Sequence, residues 1–159
     1  MGAIPIDADG RFSGYASLFN RLDSGGDIVM PGAFARSLAK RRDRIRMLFQ
    51  HDPKEPVGIW EAIGEDGQGL FVAGRLLPGV PRADALRTLI ENRAIDGLSI
   101  GFRTVRATRE AGSRKLWQLD LFEVSIVTFP MMEDARIAAS ANHSTGAAIA
   151  AAISAIRNS

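Results

Sequence analysis

Val57-Gly58-Ile59-Trp60-Glu61-Ala62-Ile63, then Glu65-Asp66-Gly67-Gln68-Gly69, then Leu70-Phe71-Val72-Ala73-Gly74-Arg75-Leu76-Leu77, is the stretch that decides the fold. Val57, Ile59 and Glu61 alternate with Gly58, Trp60 and Ala62, the period of a half-buried strand. The five polar and glycine residues that follow are turn chemistry, and Leu70–Leu77 reads as the returning strand. A hairpin at mid-chain commits the domain to a sheet.

Working outward, Arg44–Phe49 is a further strand, with Ile45, Met47 and Phe49 alternating against Arg46 and Leu48. His51-Asp52-Pro53 is expected to end it, because proline cannot donate to a ladder. Upstream, Phe12–Phe19 reads as a strand and Asn20–Asp27 as a loop. Pro31-Gly32 opens a short helix with Phe34 and Leu38 on one face. That helix runs into the basic segment Lys40–Arg46, where positive charge suits the negative end of the helix dipole. Downstream, Pro81 fits the first turn of a second helix, striped by Ala85, Leu86, Leu89 and Ile90. Leu98–Val105 is a strand, Arg106–Arg114 a polar loop, and Lys115–Leu121 and Val124–Phe129 two more strands. The sum is an α+β, β-rich domain of about seven strands with two or three helices. Residues 1–138 form this domain. Residues 139–159 are an Ala/Ser-rich tail, in which Ala147–Ile156 could be helical.

A chain of 159 residues can bury a core without staples. Its 46% hydrophobic and 24% charged residues are those of a globular domain rather than a disordered one. There is no cysteine, so disulfides, thiol catalysis and cysteine-ligated zinc are excluded. The N-terminus lacks the basic start and apolar run of a signal peptide, and no apolar run nears the ~20 residues that span a bilayer. No membrane partner is expected. The net charge is only +2, and aromatics do not interleave with the basic run, so no direct nucleic-acid partner is expected either.

The two histidines narrow the chemistry. His143 lies in the tail. His51 has no companion ligands at metal spacing, so no metal is expected, and no phosphate-loop or dinucleotide glycine pattern suggests a cofactor. Hydroxyl chemistry remains. A serine hydroxyl needs an imidazole to take its proton, and the imidazole needs an orienting partner. His51, at a strand end, is the only candidate base. Ser99, in Gly97-Leu98-Ser99-Ile100-Gly101-Phe102, has flanking glycines that leave backbone room for a substrate or an oxyanion. Ser125, in Glu123-Val124-Ser125-Ile126-Val127, is a second strand serine. Spacing does not choose between them.

Four segments together resemble the prohead serine proteases of tailed bacteriophages. They are Gly26-Asp27-Ile28-Val29-Met30-Pro31-Gly32-Ala33-Phe34; Leu48-Phe49-Gln50-His51-Asp52 with Pro56-Val57-Gly58; Ile95-Asp96-Gly97-Leu98-Ser99-Ile100-Gly101-Phe102; and Leu121 through Pro130. The resemblance covers Gly14 to Ala138. It implies a compact herpesvirus-protease-like β-barrel, with Ser99 as nucleophile, His51 as base and Glu123 as the orienting acid. Asp52 and Asp96 are rivals for the third place. By the same resemblance, the oxyanion donors are backbone amides at Met131 or Met132. The implied role is a serine endopeptidase cutting scaffold protein, major capsid protein and itself inside the procapsid, within the host bacterial cytoplasm. The source would be a phage, a prophage or a gene transfer agent. The herpesvirus enzymes work as dimers, so a homodimer is among the implied arrangements. An inactive capsid-assembly module on the same barrel and a small-ligand-binding barrel are the alternatives.

Overall fold

The computed structural model describes residues 4–139. The seven strands and two α-helices run in chain order as β1 (Arg11–Leu18), β2 (Asp27–Val29), α1 (Ala35–Arg41), β3 (Arg46–Phe49), β4 (Asp52–Glu65), β5 (Gly69–Leu76), α2 (Pro81–Glu91), β6 (Gly97–Glu110) and β7 (Ser113–Val127). A single turn of 3-10 helix, Arg42–Arg44, joins α1 to β3.

The central hairpin is β4–β5, antiparallel, with Ile63 opposite Val72 and Gly58 opposite Leu76. β1 adds to β5, and β3 adds to β4. β7 is the hub. One side pairs with β6, and the other pairs in parallel with β2 near its start and with β3 near its end. The sheet path β1-β5-β4-β3-β7, with β6 beyond, then curls on itself. Residues 135–138 close it as a strap between the first and last strands. Leu98 N–H donates to Ala135 O, Ile137 N–H to Asp96 O and Ala138 N–H to Ser13 O. The inward faces of the strands fill the interior with Phe12, Met47, Ile63, Val72, Leu116 and Leu121, all essentially buried. Among the described residues this is a packed core rather than the wide apolar cavity of a ligand-binding barrel.

α1 lies against β7. Its Ser37, buried, accepts from Leu121 N–H at 2.8 Å and donates to Leu121 O at 3.4 Å. The helix has no cap from its own side chains. Glu65, at the end of β4, substitutes for one, accepting from Gly32 N–H at 2.9 Å. Burial pushes the Glu65 carboxyl above its ordinary range, opposed by the backbone bonds from Gly32 and Phe34.

Four expectations change. Arg106–Arg114 is not a loop. β6 and β7 continue through it as a long hairpin, turning at Ala111-Gly112, both with positive φ. β7 is also unbroken where two strands were expected. Conversely, β2 lies partly in the stretch read as a loop. The strand read as Arg44–Phe49 does end at Phe49, but the Gln50-His51 turn ends it and not Pro53, because β4 begins at Asp52 and carries both Pro53 and Pro56. The pairing with β3 there is bulged, Leu48 facing Pro56 and Phe49 facing Asp52, so the ladder accommodates the prolines. The tail beyond residue 139, with Ala147–Ile156 and His143, lies outside the described residues.

Candidate active site

The site is built from three neighbouring strands, β6, β7 and β3. Ser99 on β6 sits directly opposite Ser125 on β7, and Gly101 opposite Glu123. Residues paired across a ladder share a face, and so do residues two apart on one strand. Ser99, Gly101, Glu123 and Ser125 therefore project together. On the far side of β7, β3 pairs Arg46 with Glu123 and Leu48 with Ser125. Its end carries the two-residue turn Gln50-His51 across the same face.

The turn is unusual in its residues. A two-residue hairpin with positive φ at both positions is the type I′ pattern, which favours Asn-Gly. Here Gln50 has φ 53° and His51 φ 59°. Each non-glycine residue in the left-handed region costs about 1–2 kcal/mol. The conformation is held from β7 and just beyond it. Gln50 N–H donates to Ile126 O at 3.0 Å. His51 N–H donates to Ser125 Oγ at 3.0 Å. The Gln50 amide group spans to Thr128, donating to its Oγ1 at 2.6 Å and accepting from its N–H at 3.2 Å.

His51 Nδ1 meets Glu123 Oε2 at 2.7 Å. The Glu123 side chain is 11% exposed and the His51 side chain 41%. The hydrogen bond to Glu123 holds the imidazole above its ordinary value of 6.5; burial opposes it and the carboxylate's charge adds to it. Glu123 Oε1 is buried with no hydrogen-bond partner among the described residues, so the carboxylate commits itself to His51 alone. With Nδ1 engaged, Nε2 is the nitrogen left for another partner, the division of labour of a Ser-His-acid triad.

Ser99 is 7% exposed and lies in the wall of a cleft of about 130 Å³ that His51 also lines. Ile100, Phe102 and Met131 make the cleft mainly apolar, and Asp23 and Asp27 also line it. Ser125, the rival serine, is fully buried and occupied by the His51 backbone. Asp52 is used by its own turn, accepting from Lys54 N–H at 2.9 Å. Asp96 pairs with Arg136 of the closing strap at 2.6 Å. Neither is bonded to His51, whereas Glu123 is.

The flanking glycines have a different use from the one expected. A Cβ at Gly101 would stand 2.5 Å from Glu123 Cδ. A Cβ at Gly97 would stand 2.7 Å from Val127 O and 2.8 Å from Pro130 Cδ. Gly101 thus leaves room for the Glu123 carboxylate, and Gly97 for the turn after β7. The sequence offered one signal for Gly101, its position two residues after Ser99, and no signal that its partner is Glu123. Met131 and Met132 both line the cleft. Met131 O accepts from Ser24 N–H at 3.0 Å and from Ser24 Oγ at 2.9 Å.

Comparison with known proteins gives three findings. The model of the caudovirus prohead serine protease family matches residues 4–148. The prohead protease of Enterobacteria phage HK97 is 41% identical over 143 residues, covering 86% of this chain. The chain spans 64% of the length of that relative. Among solved structures, the bacteriophage T4 capsid assembly protease superposes with a TM-score of 0.64 at 14% identity, over 80% of this chain and 88% of that one. The KSHV protease, solved with a hexapeptide phosphonate inhibitor, gives 0.57 at 12% identity, over 91% and 76%. At such identities the two structures establish a shared fold, the barrel of the herpesvirus proteases.

Proposed function

This chain belongs to the caudovirus prohead serine protease family, and from that premise we propose that it is a serine endopeptidase acting through Ser99, His51 and Glu123. The observation that carries the reading is the 2.7 Å contact of His51 Nδ1 with a buried carboxylate, on a cleft that Ser99 also lines.

In the proposed mechanism His51 Nε2 takes the Ser99 proton as Oγ attacks the scissile carbonyl. Glu123 stabilises the imidazolium that forms. His51 then protonates the leaving amine, and a water activated by the same imidazole hydrolyses the acyl-enzyme. The developing oxyanion needs preorganised donors, each worth ~100-fold or more in rate. We assign this role to the backbone amides of Met131 and Met132. Two bonds from Ser24 hold the Met131 carbonyl. A trans peptide sets its N–H opposite its C=O, so the Met132 N–H points away from Ser24. Among the described residues neither amide donates a hydrogen bond elsewhere.

The relatives' names, prohead protease and capsid assembly protease, support the substrates proposed here: major capsid protein and scaffold protein inside the immature capsid. No helix among the described residues is long and apolar enough to cross a membrane. The reading is tested by incubating capsid and scaffold proteins with wild type and with Ser99→Ala. Wild type should cleave and Ser99→Ala, still folded, should not. Equal cleavage by both would remove Ser99 from the mechanism.

A further inference from the structure

The base stands on a turn that its own residues disfavour. Gln50 and His51 both occupy the left-handed region, with φ of 53° and 59°. In a type I′ turn the usual remedy is Asn-Gly, which His51 cannot be if an imidazole is required there. The conformation must be imposed by neighbours. Ser125 is fully buried, faces the same side of the sheet as Ser99 and Glu123, and its Oγ accepts the His51 N–H at 3.0 Å. Gln50 closes a second, two-bond link to Thr128. Ser125 and Glu123 lie two residues apart on β7, so the same strand holds the backbone and the ring of His51.

We propose that Ser125 and Gln50 are positioning residues that lock the strained Gln50-His51 turn, so that the imidazole meets Glu123 on one side and Ser99 on the other. The inference rests on the reading of His51 as the base. It assigns Ser125, the only other serine on this face of β6 and β7 near the histidine, a structural acceptor role in place of a nucleophilic one. Without the Ser125 acceptor, the His51 N–H is left unpaired and the turn can relax toward ordinary φ, carrying the ring away from Glu123. Displacement of a catalytic group by about 1 Å can cost ~100-fold in rate.

The test uses Ser125→Ala, Ser125→Thr and Gln50→Ala with two readouts. The first is the titration of the His51 ring by NMR. The charged and titratable groups around this ring and cleft are Glu123 on β7, its ladder partner Arg46 on β3, Asp23 on the loop after β1, and Asp27 at the start of β2 with its ion-pair partner Arg114; all remain in each variant. The second is the rate at which an alkyl fluorophosphonate labels Ser99. Wild type should titrate above 6.5. Ser125→Ala and Gln50→Ala should titrate lower, toward 6.5, and label roughly 10- to 100-fold more slowly. Ser125→Thr, which keeps an acceptor oxygen, should recover much of both. If Ser125→Ala does not fold, Gln50→Ala, which alters a more exposed side chain, carries the test. Unchanged His51 titration and unchanged labelling in Ser125→Ala and Gln50→Ala would overturn the proposal. Wild type that titrates as expected yet is never labelled at Ser99 would instead overturn the nucleophile reading.

Discussion

At the scale of single residues, the centre of the account is the His51–Glu123 pair. General-base action needs neutral imidazole, and Glu123 holds the charged form in place. Activity should therefore fall on the acid side with a midpoint above 6.5, the ordinary value for histidine. Glu123→Gln removes the cause of that elevation. Its acid limb should move to lower pH while its plateau drops, by up to about 10⁴-fold if the loss equals that of the same change in a Ser-His-Asp triad. A pH profile of kcat/KM for both proteins checks this, and an unmoved limb would detach Glu123 from His51. The proposed set of Ser99, His51 and Glu123 was legible in the sequence only through the four-segment resemblance. Local chemistry left Ser99 and Ser125 equivalent, because a strand serine reads the same whether its hydroxyl faces a cleft or a neighbouring backbone. The left-handed turn was hidden for a related reason: Gln-His carries none of the Asn-Gly signal that announces such a turn.

At the scale of elements, the site depends on how closely β6 can carry a carboxylate across its face. Gly101 and Glu123 are direct cross-strand partners, and a Cβ at 101 would sit 2.5 Å from Glu123 Cδ. Gly101→Ala should keep the sheet, since alanine fits extended backbone, but displace the carboxylate from His51. We expect kcat to fall ~100-fold with KM little changed, measured in steady-state assays beside circular dichroism. A normal kcat would show that Glu123 has room to rearrange. The elements themselves were unevenly legible. β1, β4–β5 and both helices carry an apolar face at the right period. The outer half of the β6–β7 hairpin does not: Arg106–Glu110 is mostly exposed on both faces, so its ladder leaves no alternation to read. β2 is only three residues long and joins β7 in parallel, a pairing no local pattern announces. The expected total of about seven strands agrees with the structure because dividing β7 in two offset the omission of β2.

At the scale of the whole molecule, two groups tie stability to pH in one direction. Glu65 and His51 both have folded values raised above their ordinary ones. For each, the stabilising contribution is complete below the unfolded value and is lost as pH rises through the raised folded value. Urea midpoints should therefore decline as pH rises above 6.5 and through the raised His51 value, the interval in which activity rises. Glu123→Gln should flatten that decline; a wild-type midpoint independent of pH would contradict it. The barrel was legible as a class from the central hairpin and the resemblance. Its closure by residues 135–138 was not, because a short strap bonded through its backbone leaves little trace in side-chain pattern.

The central claim is that Ser99, and not Ser125, attacks substrate with the help of His51. The most direct measurement is mass-spectrometric mapping of the residue modified when the folded chain reacts with an alkyl fluorophosphonate. The account predicts a single adduct on Ser99, absent from Ser99→Ala and from His51→Ala. An adduct on Ser125, or one on Ser99 that forms equally fast without His51, would contradict it.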